Sequence, residues 1–293
     1  NGCSNDASTS ITVNPVPTPT LQGDTTVCSG DTYSLNVPPP SYSSYLWSNG
    51  GTTNSIIPST TGFYAVTVTN ASGCTATIGI NFFLYNRPTI NIMGNDTICQ
   101  GATSILNAGA GPGYSYVWST GATSQTITVA FPNTYTVTVT DNHGCKDTSD
   151  ILFVVNPLPN VVITGDTVTC ANQPIVLSAG SSYQQYLWNN GTTDSTITPN
   201  VSGIYAVTVT DGNGCTKSDQ ASVTVNPIPG PTVSSVGYFC FGSSVLVNCG
   251  SGFNNYLWST GDSTQNIYVN SVGWYSVVVT DGNGCTGTDS INI

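Results

Sequence analysis

Positive charge is almost missing from this sequence. Three basic residues (Arg87, Lys146, Lys217) and one histidine (His143) stand against fourteen acidic residues, giving a formal net charge of −11. Without a basic surface to neutralise phosphates, nucleic acid is excluded as a partner. Attraction to anionic lipid is disfavoured for the same reason. Glutamate is absent and methionine occurs once, so the strong helix formers are scarce and the composition points away from helices. No apolar run approaches the roughly 20 residues that cross a bilayer, and no signal peptide is present. Membrane insertion is therefore not expected, and an export signal would lie outside this window.

Catalytic equipment is equally thin. A single histidine leaves no Ser/His or Cys/His arrangement, and His143 reads as a solvated turn residue. The aspartates recur at turns, which argues against a paired-carboxylate hydrolase. Cys-x-x-Cys pairs of the zinc-binding kind do not occur. The expectation is a non-catalytic protein that needs no cofactor.

What is plentiful is Thr, Val, Ser, Tyr, Gly and Asn, a composition for strands and turns. Within it a tryptophan strand occurs four times: Tyr45-Leu46-Trp47-Ser48, Tyr116-Val117-Trp118-Ser119, Tyr186-Leu187-Trp188-Asn189 and Tyr256-Leu257-Trp258-Ser259. A period of about 70 residues means tandem copies of one small domain. A domain of that size buries only about 60% of its unfolded surface, so disulfides or neighbour contacts should support it. Boundaries are expected at Asn14-Pro15, Asn86-Arg87-Pro88, Asn156-Pro157 and Asn226-Pro227. This gives repeats at 15–87, 88–157, 158–227 and 228–293, with 1–14 as the last strand of a preceding repeat. A rival reading makes 1–14 a donor strand for a neighbouring chain. Proline restricts its own φ and keeps the preceding residue extended, so the joints should be short and stiff and the domains should stack into a rod.

Each copy reads as seven short strands. A first strand (Thr18–Gln22 or Thr89–Met93) precedes a Cys-x-Gly/Asn turn at Cys28, Cys99, Cys170 and Cys240. A strand centred on Leu35, Leu106, Leu177 or Val247 comes next, then the tryptophan strand, then a short segment with Ile56, Ile127, Ile197 or Ile267. The sixth strand alternates most clearly (Tyr64-Val66-Val68, Tyr135-Val137-Val139, Tyr205-Val207-Val209, Tyr275-Val277-Val279), which marks it as half-buried. An Asp/Asn-rich hairpin turn leads to the last strand, where the first copy carries one extra residue, expected as a bulge. The fold class is all-β, a tandem array of four immunoglobulin-like sandwiches with cores built on Trp47, Trp118, Trp188, Trp258, Tyr64, Tyr135, Tyr205 and Tyr275.

Ten cysteines in such a chain favour an oxidising, extracellular compartment. The two cysteine-bearing turns of one sandwich should lie at opposite poles, on the order of 20 Å apart, too far for a disulfide. The pole of one copy faces the opposite pole of the next, so staples Cys28–Cys145, Cys99–Cys215 and Cys170–Cys285 are expected. Cys3, Cys74 and Cys240 would pair with copies outside the window, and Cys249 could compete with Cys170 for Cys285. One bridge per copy (Cys28–Cys74, Cys99–Cys145, Cys170–Cys215, Cys240–Cys285) stays open as the alternative.

Two weaker signals remain. Asp211, Asn213, Asp281 and Asn283 form oxygen-rich turns that calcium could use, although Asp and Asn are good turn residues in their own right. A tryptophan row could stack sugars, but its regular strand position favours burial. Phe63 and Trp274 fall on the outward side of their strand and are better candidates for a surface contact.

Taken together, Cys-x-Gly…Leu…Tyr-x-Trp-Ser-x-Gly…Ile…Gly-x-Tyr-x-Val-x-Val-Thr-Asp-x-x-Gly-Cys…Asn-Pro-x-Pro resembles the immunoglobulin-like/PKD-like repeats of Bacteroidetes cell-surface proteins, among them SprB-type gliding adhesins and proteins with a gliding-motility-associated C-terminal domain. The resemblance implies type IX secretion and a place on the bacterial cell surface, linked to adhesion and gliding motility. It also implies O-glycosylation of Asp-Ser/Thr sites, here Thr25, Thr97, Thr167, Ser195, Ser263 and Ser290. The leading functional expectation is a non-catalytic stalk or filament segment whose partners are neighbouring repeats and, through self-association, other fibres. An adhesive module binding glycan or a cell through its loops is the alternative.

Overall fold

A computed structural model describes residues 2, 8–237, 240 and 242–293 of the chain. It forms two compact units, Asn1–Val155 and Asn156–Ile293, each holding two sandwiches. The first sandwich consists of β1 (Thr26–Cys28), β2 (Leu35–Asn36), β3 (Ser44–Trp47), β4 (Ser55–Ile56), β5 (Gly62–Thr69) and β6 (Thr75–Tyr85). The second repeats that order as β7 (Thr97–Cys99), β8 (Ser104–Asn107), β9 (Ser115–Trp118), β10 (Thr126–Val129), β11 (Asn133–Thr140) and β12 (Lys146–Asn156). The third runs β13 (Val168–Cys170), β14 (Leu177–Ser178), β15 (Gln185–Trp188), β16 (Thr196–Ile197), β17 (Gly203–Thr210) and β18 (Thr216–Asn226). The fourth has β19 (Ser234–Val236), β20 (Val245–Asn248), β21 (Asn255–Trp258), β22 (Asn266–Val269), β23 (Trp274–Thr280) and β24 (Thr286–Asn292). The chain is all-β, a tandem of immunoglobulin-like sandwiches.

In each of the first three sandwiches a two-stranded sheet (β2–β4, β8–β10, β14–β16) faces a four-stranded one (β1-β6-β5-β3, β7-β12-β11-β9, β13-β18-β17-β15). Alternation explains the larger sheet. On β5, Tyr64, Val66 and Val68 are buried while Ala65, Thr67 and Thr69 look outward. The outward hydroxyls pair across the ladder: Thr67 with Thr77 at 2.8 Å, Thr138 with Thr148 at 3.2 Å and Thr208 with Ser218 at 2.8 Å. Such cross-strand pairs stabilise a sheet by roughly 0.2–1 kcal/mol each.

Every sandwich has its own core. In the first, Leu35, Trp47, Ile56, Tyr64, Val66, Val68 and Phe82 close on one another, and the other three repeat the pattern. A buried indole needs a partner for its N–H, and the carbonyl six residues on supplies it. Trp47 donates to Thr53, Trp118 to Ser124, Trp188 to Asp194 and Trp258 to Thr264, at 2.8–2.9 Å. The tyrosine hydroxyls bond back to the carbonyl four residues upstream: Tyr64 to Thr60, Tyr135 to Phe131, Tyr205 to Val201 and Tyr275 to Ser271. This is the tyrosine corner of immunoglobulin-like sandwiches. Tyr205 alone is only half-buried. Phe82 and Phe153 meet Tyr64 and Tyr135 edge-on, whereas Val223 at the matching place in the third repeat is too small to cover the ring.

Three details depart from the sequence reading. In the first three sandwiches there are six strands instead of seven, because the expected first strand shrinks to single bridges (Gln22 with Asn36, Met93 with Asn107, Thr164 with Ser178), whereas in the fourth it persists as β19. The chain then leaves that sheet and crosses to the other as β1, β7 or β13. Gly23, Gly94 and Gly165 make the crossing, at φ of +130°, +140° and +127°. A Cβ there would collide with the carbonyl oxygen of Ser34, Ile105 or Val176, so a side chain is excluded both by φ and by space. The extra residue of the first repeat is not a bulge. β5 and β6 pair without interruption from Gly62–Phe82 to Thr69–Thr75, and Cys28 lies opposite Tyr85 just as Cys170 lies opposite Asn226. The insertion therefore falls beyond the ladder, in the joint. Finally, residues 8–14 belong to no strand, and the rest of the expected strand at 1–14 lies outside the described residues apart from Gly2.

Candidate functional site at the stapled joints

The joint inside the first unit is built from both sides. On the side of the first sandwich, β1 runs parallel to the end of β6 and delivers Cys28 to the pole. A tight turn stops it there: Asp31 N–H donates to the Cys28 carbonyl at 3.1 Å, with Gly30 at φ +86°. Positive φ at the third position is the signature of a type II turn, and Gly101 and Gly242 occupy it in the second and fourth repeats. Asn172 occupies it in the third, the one described non-glycine residue with positive φ (+66°). Asn172→Gly should leave the third sandwich as stable or slightly more so, whereas Asn172→Ala should cost about 1 kcal/mol. The shift of the urea midpoint for the two variants checks this.

On the side of the second sandwich, the turn before β12 places Cys145. Oδ1 of Asp141 accepts the N–H groups of His143 and Cys145, both at 2.9 Å, and the Asp141 N–H donates to the Cys145 carbonyl at 3.0 Å. Cys28 and Cys145 are disulfide-bonded, with Cα atoms 5.6 Å apart. In the second unit Cys170 and Cys285 are bonded in the same way, also at 5.6 Å. Cys99 and Cys215 are each engaged in a disulfide too. One bridge per repeat is not formed. Cys28 and Cys145 are used by each other, so Cys28–Cys74 and Cys99–Cys145 cannot exist. Cys170 and Cys285 likewise leave no Cys170–Cys215 or Cys240–Cys285. The cause is geometric: Cys28 lies beside Tyr85 at the end of β6, whereas Cys74 precedes the start of that 11-residue strand.

Cys74 is free and half-buried, its sulfur 3.9 Å from the Asn14 carbonyl. Cys240 is free and exposed, while Cys3 lies outside the described residues. Cys249 does not compete for Cys285. It sits in the fourth core at the position of Ala108 and Ala179, and burial raises the pKa of its thiol. The thiolate is the reactive form. Cys249 should therefore resist iodoacetamide in the folded protein at mildly alkaline pH, react once the chain is unfolded, and lag behind Cys240 by mass spectrometry.

The first joint carries contacts that sequence reasoning missed. Arg87 stands at the joint and bonds both sandwiches. Its side chain donates to the Ser29 carbonyl (2.7 Å), to the Lys146 carbonyl (2.7 Å) and to the Asp31 carboxylate. Arg87 and Asp31 remain partly exposed, so the ion pair is worth at most about 1 kcal/mol and the clamp relies on its fork of donors. His143 is not a merely solvated turn residue: its ring stacks on Tyr85, with centroids 3.7 Å apart. Two anomalies in the sequence marked this joint, an arginine among only three basic residues and a histidine where the later turns have Asn213 and Asn283.

The other expected site residues are placed as follows. Oδ1 of Asp211 and of Asp281 each receives two N–H groups at 2.9 Å, from Asn213 and Cys215 and from Asn283 and Cys285. Asn70 accepts the same pair of bonds in the first repeat, from Ser72 and Cys74. A neutral amide does the work there, so these turns are explained by capping and offer a cation little. Among the described residues no three His, Cys, Asp or Glu side chains gather as a metal site. Of the hydroxyls in Asp-Ser/Thr sequences, Thr97, Thr167, Ser263 and Ser290 are exposed, while Thr25 and Ser195 are half-buried. Trp47, Trp118, Trp188 and Trp258 are buried and cannot stack sugars, whereas Phe63 and Trp274 are 64% and 71% exposed.

No protein-family model and no curated protein matches this chain. Among solved structures it is similar to an ICAM-5 D1–D4 ectodomain fragment (13% identity, 89% of this chain and 93% of that one, TM-score 0.39). It is also similar to a Ca2+-stabilized adhesin that helps an Antarctic bacterium bind ice (13% identity, 89% and 92%, TM-score 0.34). A third is the N-terminal four immunoglobulin domains of Dscam1 isoform 6.44 (11% identity, 94% and 98%, TM-score 0.22). These are likenesses of fold and extend to no ligand or partner.

Proposed function

We propose that the chain is a structural segment of a stalk or filament on a bacterial cell surface, made of repeats 15–87, 88–157, 158–227 and 228–293 and carrying load rather than chemistry. The observation behind this reading is the double connection inside each unit. Successive sandwiches are joined once by a short linker and again by Cys28–Cys145 or Cys170–Cys285. Two links at separate points remove the hinge freedom that a single linker leaves, which suits a spacer and serves no catalytic purpose. The disulfides fit an oxidising, extracellular setting. The repeat motif adds the Bacteroidetes reading, with type IX export and glycosylation at some of the four exposed hydroxyls as parts of it.

Gold-labelled antibody against the fourth repeat, imaged on intact cells, tests the proposal. Label on slender surface projections is expected; label confined to the cell interior would end it. The adhesive alternative draws on one observation, the exposed Tyr268, Val272 and Trp274 of the fourth repeat (75%, 75% and 71%). If it holds, Trp274→Ala abolishes glycan or cell binding without changing stability.

A further inference from the structure

We infer that the staples route tension around the sandwiches, so that a chain pulled from its ends carries the load on a short covalent thread and keeps most of every core out of the load path. This deepens the stalk reading and rests on it for its biological use, although the thread itself follows from connectivity alone. In the first unit, force arriving at Pro15 runs along residues 15–28, crosses the Cys28–Cys145 bond and leaves along 145–156. The bypassed loop spans a separation of 117 residues and contains Trp47, Trp118 and almost all of both cores. In the second unit, force runs along 157–170, crosses to Cys285 and continues to Ile293. That loop spans 115 residues and contains Trp188 and Trp258.

What remains on the thread is suited to tension. β12 is an inner strand with β7 on one flank and β11 on the other. Its antiparallel ladder to β11 runs from Thr140–Lys146 to Asn133–Phe153. Those bonds lie perpendicular to the strand, so a pull along β12 shears them together instead of opening them one at a time. β13 is held to the end of β18 in parallel register. The lead-in carries Pro15, Pro17 and Pro19 and the later link Pro157 and Pro159, where a restricted φ favours extended chain with little slack. Without the staples the same force would pass through every strand in turn and could unravel each sandwich completely.

Stretching single molecules of the whole chain, tethered at its two ends, tests this. At about 3.4 Å per extended residue, hiding about 230 of the 293 residues limits an oxidised chain to roughly 200 Å of contour, against roughly 1,000 Å when reduced. Adding dithiothreitol to an already folded, tethered molecule should therefore increase the accessible length about fivefold. The double variant Cys28→Ser/Cys145→Ser should extend further than the oxidised parent, by at most about 400 Å. Oxidised chains that extend as far as reduced ones would overturn the proposal, and reduction of the tethered parent decides this even if the double variant folds poorly. The labelling experiment is independent of it. Label in the cell interior together with a short oxidised extension would remove the stalk reading and leave the thread standing.

Discussion

Trp118→Ala is expected to unfold the second sandwich while the first stays folded. The indole is 2% exposed and packed among Leu106, Ile127, Tyr135, Val137 and Phe153, with its N–H on the Ser124 carbonyl at 2.9 Å. Truncating a buried aromatic side chain costs about 3–5 kcal/mol. A core of this size seldom supplies more than about 3–5 kcal/mol in total, so the loss matches the whole margin. The cores are separate clusters, which is why damage to one need not spread. Hydrogen exchange read by mass spectrometry should show fast exchange over β9, β11 and β12 and continued protection over β3, β5 and β6. Trp274→Ala is the control: that indole is 71% exposed, and its loss should change stability by no more than about 0.5 kcal/mol. Equal effects at the two positions would mean that position in the strand does not decide burial.

Cys28→Ser/Cys145→Ser should weaken the first unit by about 5 kcal/mol, the chain-entropy value for closing a loop of 117 residues. The loop contains most of two sandwiches, so the loss is shared between them and appears as a lower urea midpoint for both. Arg87 and the Tyr85–His143 stack are not touched by this change. They should hold the folded sandwiches together at low denaturant, so the variant is expected to fold and to melt early. A midpoint unchanged from the parent would show that the staple constrains neither sandwich in the unfolded chain.

How much of this was legible in the sequence depended on the range of each interaction. The tryptophan strand and the Tyr-x-Val-x-Val strand declare themselves by a period of two and by fourfold recurrence, and the structure places both on core-facing strands. The Cys-x-Gly turn was legible because one backbone angle at one position demands glycine or asparagine. The crossing at Gly23 was not. It leads into β1, a strand of three residues, too short to display alternation, and the reason for the glycine is the carbonyl of Ser34, just ahead of β2. The Arg87 clamp was invisible for a similar reason, since its partners Ser29 and Lys146 lie 58 and 59 residues away. Cys249 looked like a spare thiol by count and proved to be a core residue by position, in line with Ala108 and Ala179.

The most direct test is to digest the native, unreduced protein with pepsin at acid pH, where thiols do not exchange, and to map the linked peptides. A peptide containing Cys28 should be joined to one containing Cys145, and Cys170 to Cys285. Recovery of Cys28 joined to Cys74 would mean that each sandwich closes on itself, and neither the double link between sandwiches nor the tension thread would survive.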